Sequence, residues 1–111
     1  MSETSAIGRT KKISVDDTAV SIQSKGGLMG GGGSTIRIPL RQIQTVEWKD
    51  ATGLSNGYIR ICTSGMTALK GSLMAGKSID VVAARDSNSV VFTRKSADEF
   101  KRVRAAIERQ L

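Results

Sequence analysis

The sequence predicts a mainly β fold, seven short strands forming an antiparallel sandwich or partly open barrel, closed by one C-terminal α-helix. Three observations predict it. Apolar residues alternate with polar ones in short runs bounded by Gly, Asn, Asp and Ser. The apolar period changes from two to three-and-four only after residue 96. With 111 residues, the chain has room for a single core and one domain.

Residues 1–9 read as a mobile arm, and 10–111 as the domain. KKISVDDTAVSIQSK holds two strands around Asp16 and Asp17, with Ile13 and Val15, then Val20 and Ile22, on the apolar side. GGLMGGGG, residues 26–33, has too much backbone freedom for either regular element and reads as a flexible connection. STIRIPL resumes the alternation through Ile36, Ile38 and Leu40 until Pro39 and LRQI interrupt pairing. In TVEWKDA, Val46 and Trp48 share one face while Thr45, Glu47 and Lys49 share the other. ATGLSNG is a turn sequence ending in Asn56 and Gly57. YIRICT, SIDVVAA and SVVFTRK supply three β-branched strands, the last two joined by RDSN. Trp48 and Phe92 are expected to be buried, because few large side chains are available to fill the interior. In SADEFKRVRAAIERQL, Ser96 and Glu99 have capping-box spacing, and Phe100, Val103, Ile107 and Leu111 form one apolar stripe. Lys101, Arg102, Arg104, Glu108 and Arg109 face water, with Asp98–Arg102 and Arg104–Glu108 at i,i+4 spacing.

The composition excludes several chemistries. Histidine is absent, which removes imidazole bases, Ser/His and Cys/His nucleophilic pairs and imidazole metal sites. Cys62 is the only cysteine, so there is no intramolecular disulfide and no two-cysteine redox or metal motif; inside GYIRICTSG it reads as a small buried hydrophobe. No apolar run approaches the length that spans a bilayer, and MSETSAIGRTKK lacks the order of a signal peptide, so a cytoplasmic protein is expected. The net charge of +7 favours polyanions through long-range attraction, which is either weak polyanion binding or simple solubility.

The order of elements is similar to the pleckstrin-homology superfold, seven strands in two nearly orthogonal sheets closed by a C-terminal helix. KGGLMGGGGSTIRIPLRQIQTVEWK, LSNGYIRI and NSVVFTRKSADEFKRVRAAIE resemble the bacterial pleckstrin-homology-like domains of uncharacterised type, common in actinobacteria and their phages and often joined to a short SHOCT helical segment. The resemblance covers about residues 13–109; its marks are IPL at 38–40, NGYI at 56–59 and NSVVF at 88–92 leading to Phe100. It implies a fold used for binding, with no catalytic residues or cofactor to carry over and no defined ligand. Against that pattern, no SHOCT segment is expected here. The first hairpin turn carries Asp16 and Asp17 where lipid-binding relatives of the superfold have basic residues, which speaks against phosphoinositide binding.

GSLMAGKS, residues 71–78, fits the phosphate-loop pattern. A working phosphate loop needs a parallel-sheet strand before it and a helix after it, whereas TSGMTALK precedes this one and the strand-like SIDVVAA follows. The match therefore reads as chance, and no enzyme, metal or cofactor is expected. Within the chain the same stretch has a twin: KGGLMGG at 25–31 and KGSLMAG at 70–76 each place a Leu-Met pair beside a lysine. These loops are either adaptable contact tips or loops whose Leu or Met folds back on the core. On the first reading the partner-binding residues are Lys25, Leu28, Met29, Lys70, Leu73, Met74 and Lys77, engaging a protein partner or a second copy of the chain. The alternative function is a small basic structural or nucleic-acid-associated protein, of a kind phages encode.

Overall fold

The computed structural model describes residues 3–24, 35–53, 55–64 and 88–111. Seven strands lie among them, in two antiparallel sheets that do not close into a barrel. The first sheet has the order β1-β2-β3-β4, with β1 Thr4–Ile7, β2 Lys11–Val15, β3 Ala19–Ser24 and β4 Thr35–Pro39. The second has the order β5-β6-β7, with β5 Ile43–Lys49, β6 Gly57–Thr63 and β7 Ser89–Phe92. A single 3₁₀ turn, Leu40–Gln42, carries the chain from one sheet to the other, and the helix α1, Ala97–Glu108, follows β7.

Register explains why one face of each sheet is apolar. Ile13 pairs with Ile22, Val15 with Val20, and Val20 with Ile38, so the alternate residues of three strands line up on the inner face. In the second sheet Val46 lies opposite Ile61, Trp48 opposite Ile59, and Ile59 opposite Val90. The pairing shifts between Ile43 and Thr45, leaving Gln44 as an extra residue. That bulge lets Ile43 share the inner face with Val46 and Trp48 despite its odd spacing. The inner faces and α1 enclose one core, in which Ile13, Val20, Ile59, Ile61, Val90, Phe92, Phe100, Val103 and Ile107 have no exposed surface.

A tight connection fastens the sheets at one corner. Gly8 N–H donates to Lys11 O at 2.8 Å, and Arg9 N–H donates across to Val91 O of β7 at 2.9 Å. A side chain at Gly8 would place its Cβ 2.5 Å from Val91 O and 2.7 Å from Val90 Cγ1, so this approach requires glycine. Lys11 turns its ammonium onto Ser89 O at 2.8 Å, a second tie between the sheets.

Six of the seven expected strands form; SIDVVAA lies outside the described residues. The seventh described strand, β1, lies where the sequence suggested a mobile arm. The pattern hid it because the inward residue is the small Ala6, 1% exposed and opposite Ile13, whereas the larger Ile7 points outward at 54%. At the helix, Ser96 makes no side-chain cap. Arg94–Ser96 forms a 3₁₀ turn that leaves Ser96 at φ −97° and ψ 0°, off the extended conformation from which a cap reaches into the first turn. Phe100, Val103 and Ile107 are buried as their spacing requires, but Leu111 is 53% exposed because the helix ends at Glu108. Phe92 is fully buried, whereas Trp48 on the edge strand β5 is half-buried.

Candidate functional site

The residues that the sequence nominates as contact tips, Lys25, Leu28, Met29, Lys70, Leu73, Met74 and Lys77, lie outside the described residues, as does GSLMAGKS. The described part of the chain brings together three polar constellations, each on a different part of the sandwich.

The first occupies the outer face of the second sheet. Alternation along β6 turns Ile59 and Ile61 inward and Tyr58, Arg60 and Cys62 outward, yet these outward residues are only 5%, 6% and 7% exposed. Glu47 lies directly opposite Arg60 in the β5–β6 register and serves both its neighbours. Arg60 Nη1 donates to Glu47 Oε2 at 3.0 Å, and Tyr58 O–H donates to Glu47 Oε1 at 2.9 Å. Burial, reinforced by that hydrogen bond to a carboxylate, pushes the Tyr58 hydroxyl up to about 12. Burial also raises the Cys62 thiol, although Arg60 nearby opposes the shift. The thiol is therefore held in its protonated, weakly nucleophilic form, consistent with a buried small side chain rather than a reactive one.

The second constellation is the β2–β3 turn and the end of α1. Asp16 Oδ1 accepts from Thr18 N–H at 2.7 Å, Thr18 O–H at 2.8 Å and Ala19 N–H at 2.9 Å, which holds its carboxyl down at about 2. Three donors on one oxygen make Asp16 a turn-forming residue. Gln110 Nε2 donates to Asp16 O at 3.0 Å, joining the helix end to the hairpin. A shallow cleft of about 530 Å³ lies here, lined by Thr4, Val15, Asp16, Asp17, Ala106, Arg109 and Gln110. Its two carboxylates share the site with cations, Arg109 in the lining and Arg37, which donates to Thr18 Oγ1 at 2.9 Å.

The third is basic. The β5–β6 turn folds on itself through Thr52 N–H to Ser55 O at 2.8 Å and Ser55 N–H to Thr52 Oγ1 at 3.0 Å. Lys49 reaches back along it, donating to Asn56 O at 2.6 Å and Ser55 Oγ at 3.3 Å. Opposite stands the 3₁₀ turn before α1, and the cleft between them, about 480 Å³, is lined by Thr52, Gly53, Ser55, Asn56, Thr93, Arg94 and Lys95. No carboxylate is among its described lining residues. The sequence signal was present in TRKS ahead of the helix and in the hydroxyl-rich ATGLSNG, but only the fold brings the two segments face to face.

The aromatic rings form one row from the half-buried Trp48 into the core. Trp48 lies 5.0 Å from Phe92, and Phe92 stacks on Phe100 at 4.5 Å. The Arg104 guanidinium sits over the outer side of the stack, 5.2 Å from the Trp48 ring. Its Nε is 3.4 Å from Glu108 Oε1, an ion pair that lacks hydrogen-bond geometry. Among the described residues no cluster of three metal-ligating side chains occurs, and no helix is long and apolar enough to cross a membrane.

Fold and surface together define a small antiparallel β-sandwich domain closed by a C-terminal helix, with its polar groups on turns and on one sheet face. Its interior is occupied by side chains. The chain belongs to the family DUF4429, a domain of unknown function, whose model matches residues 13–108. No curated protein and no solved structure matches the chain.

Proposed function

We propose that the chain is a non-catalytic binding module of pleckstrin-homology-like architecture that acts through protein contacts, including contacts between its own copies. The observation that carries this reading is where the apolar and polar groups have gone. Phe92, Phe100 and the inward Ile and Val residues fill the space between the sheets, and the two clefts described above are shallow and lie on turns. Small-molecule sites are deep enough to enclose most of their ligand, whereas shallow clefts on rigid turns suit a segment of another macromolecule. The order of strands and the closing helix support the superfold assignment. The net charge of +7 favours a second reading, a basic nucleic-acid-associated protein of the phage-encoded kind.

Affinity capture from a bacterial lysate, with and without nuclease and at about 50 and 200 mM salt, separates the two. A defined protein retained at both salts after nuclease treatment is the expected result. Recovery of nucleic acid alone, lost steeply at the higher salt, would replace the protein-contact reading by the second one.

A further inference from the structure

The basic cleft between the β5–β6 turn and the start of α1 brings cationic side chains and hydroxyls together. Among the described residues, neither Arg94 nor Lys95 has an ion-pair or hydrogen-bond partner for its side chain. Both are exposed, and both line the cleft. The facing wall is fixed: the Thr52 and Ser55 hydroxyls lie 3.1 Å apart, and the turn that holds them is closed by backbone bonds. Lys49 Nζ, anchored on Asn56 O, adds a third cation behind Ser55. Asp50, the acidic residue nearest in sequence to this wall, has one oxygen engaged by the Trp48 indole N–H at 2.7 Å. The Arg94 guanidinium lies over the turn, 3.8 Å from where a Cβ on Gly53 would stand.

From this arrangement we infer that the cleft is the docking point for a carboxylate-bearing, acidic segment of a partner protein. This rests on the protein-contact reading above and names its chemistry. A planar carboxylate matches the guanidinium fork of Arg94, and the Thr52 and Ser55 hydroxyls, one of which donates to the other, give the facing wall a polar lining. The cleft is too open to enclose a free metabolite, so the carboxylate comes on a longer chain. The four aromatic residues of the protein argue against a single-stranded nucleic acid as occupant. Trp48, Phe92 and Phe100 are stacked together, Arg104 covers Trp48, and Tyr58 is 5% exposed, so no ring is presented for base stacking.

The test is fluorescence anisotropy with a labelled oligoglutamate peptide and, separately, a labelled DNA duplex, at about 150 mM salt. Three proteins are compared: the full chain, its Arg94→Glu/Lys95→Glu variant, and a Lys101→Glu/Arg102→Glu variant with the same net charge on the exposed outer face of α1. Thermal melts check that each is folded, and Arg94→Gln/Lys95→Gln stands in if the charge reversal unfolds the chain. The expected result is peptide binding weakened about tenfold or more by the cleft variant and changed less than about threefold by the helix variant. Equal losses in both variants would reduce the effect to net charge and overturn the cleft. Preferential, cleft-dependent binding of the duplex would overturn the carboxylate as its occupant. A protein partner still captured by the Arg94→Glu/Lys95→Glu variant would refute the cleft while the binding-module reading stands.

Discussion

Replacing Phe92 by Ala tests the core at the point where its large side chains meet. The ring has no exposed surface and is held between Trp48 at 5.0 Å and Phe100 at 4.5 Å. Losing a fully buried Phe forfeits about 2–3 kcal/mol of transfer free energy, and the cavity left behind raises this to about 3–5 kcal/mol. Two aromatic contacts disappear with it, each worth roughly 0.5–1.5 kcal/mol, which puts the expected loss at the upper end of that range. Relaxation is limited, because one neighbour belongs to β5 and the other to α1, and neither can close the gap without moving its element. Against a total of about 5–15 kcal/mol, the variant stays folded unless the parent lies near the bottom of that span. Urea unfolding followed by far-ultraviolet circular dichroism measures the difference without depending on Trp48 fluorescence, which the substitution itself perturbs. The melting temperature should fall by roughly 12–20 °C. Phe92→Leu, which keeps most of the volume, should cost about 1.5 kcal/mol or less. A Phe92→Ala loss below about 1.5 kcal/mol would show that the stack is not a fixed part of the core.

Gly57→Ala should destabilise by about 1–3 kcal/mol, because the added Cβ would lie 2.4 Å from Lys49 O, 2.7 Å from Ala51 N and 2.8 Å from Phe92 Cε1; thermal melts that match the parent would refute the close packing. Glu47→Gln should cost roughly 2–3 kcal/mol in denaturant titrations, since Arg60, its side chain 7% exposed, keeps its charge and loses the carboxylate. In the same variant, ultraviolet titration should find the Tyr58 hydroxyl moved down from about 12; an unchanged value would remove Glu47 as a contributor. A raised folded value means that the parent's Tyr58 contribution is complete below about 10 and is lost as pH rises toward about 12. Asp16 has the opposite sign: its lowered value gives a contribution present above 3.8 and lost as pH falls through about 2, so Asp16→Asn should flatten the acid limb of the stability curve over that window. An acid limb identical in parent and variant would show that the turn's hydrogen bonds are not formed in solution.

Alternation made six strands and the helix legible because their inward residues are large and their partners equally so: Ile13 faces Ile22 and Trp48 faces Ile59. β1 escaped because Ala6 is the only residue it commits to the core. Ser96 and Glu99 have capping-box spacing, but spacing cannot report that a 3₁₀ turn sets Ser96 at an angle unsuited to capping. The basic cleft was illegible for a different reason. Its walls are about forty residues apart in sequence, and only the pairing of Gly57 with Phe92 brings the β5–β6 turn beside Arg94 and Lys95. Long-range pairing is the information a single sequence carries least directly.

The outer face of β6 shows how a strand can mislead and still be specified. Tyr58, Arg60 and Cys62 have the composition of a half-exposed strand, and alternation assigns them correctly to the face away from the core. That face is nevertheless buried, which periodicity cannot distinguish from one that is wet. A guanidinium in such a place is tolerable only if its charge is matched, and the matching carboxylate is Glu47, directly across the register. The pair therefore adds specificity to a sheet whose inner face would by itself accept several apolar registers. A slip of one residue would turn Glu47 toward the core, and a slip of two would leave Arg60 opposite Thr45 or Lys49 with no carboxylate to meet it. The same register sets Gly57 against Phe92, and so fixes where the turn and the helix start stand relative to one another. Glu47 and Arg60 thus help to position the basic cleft, although neither side chain lines it.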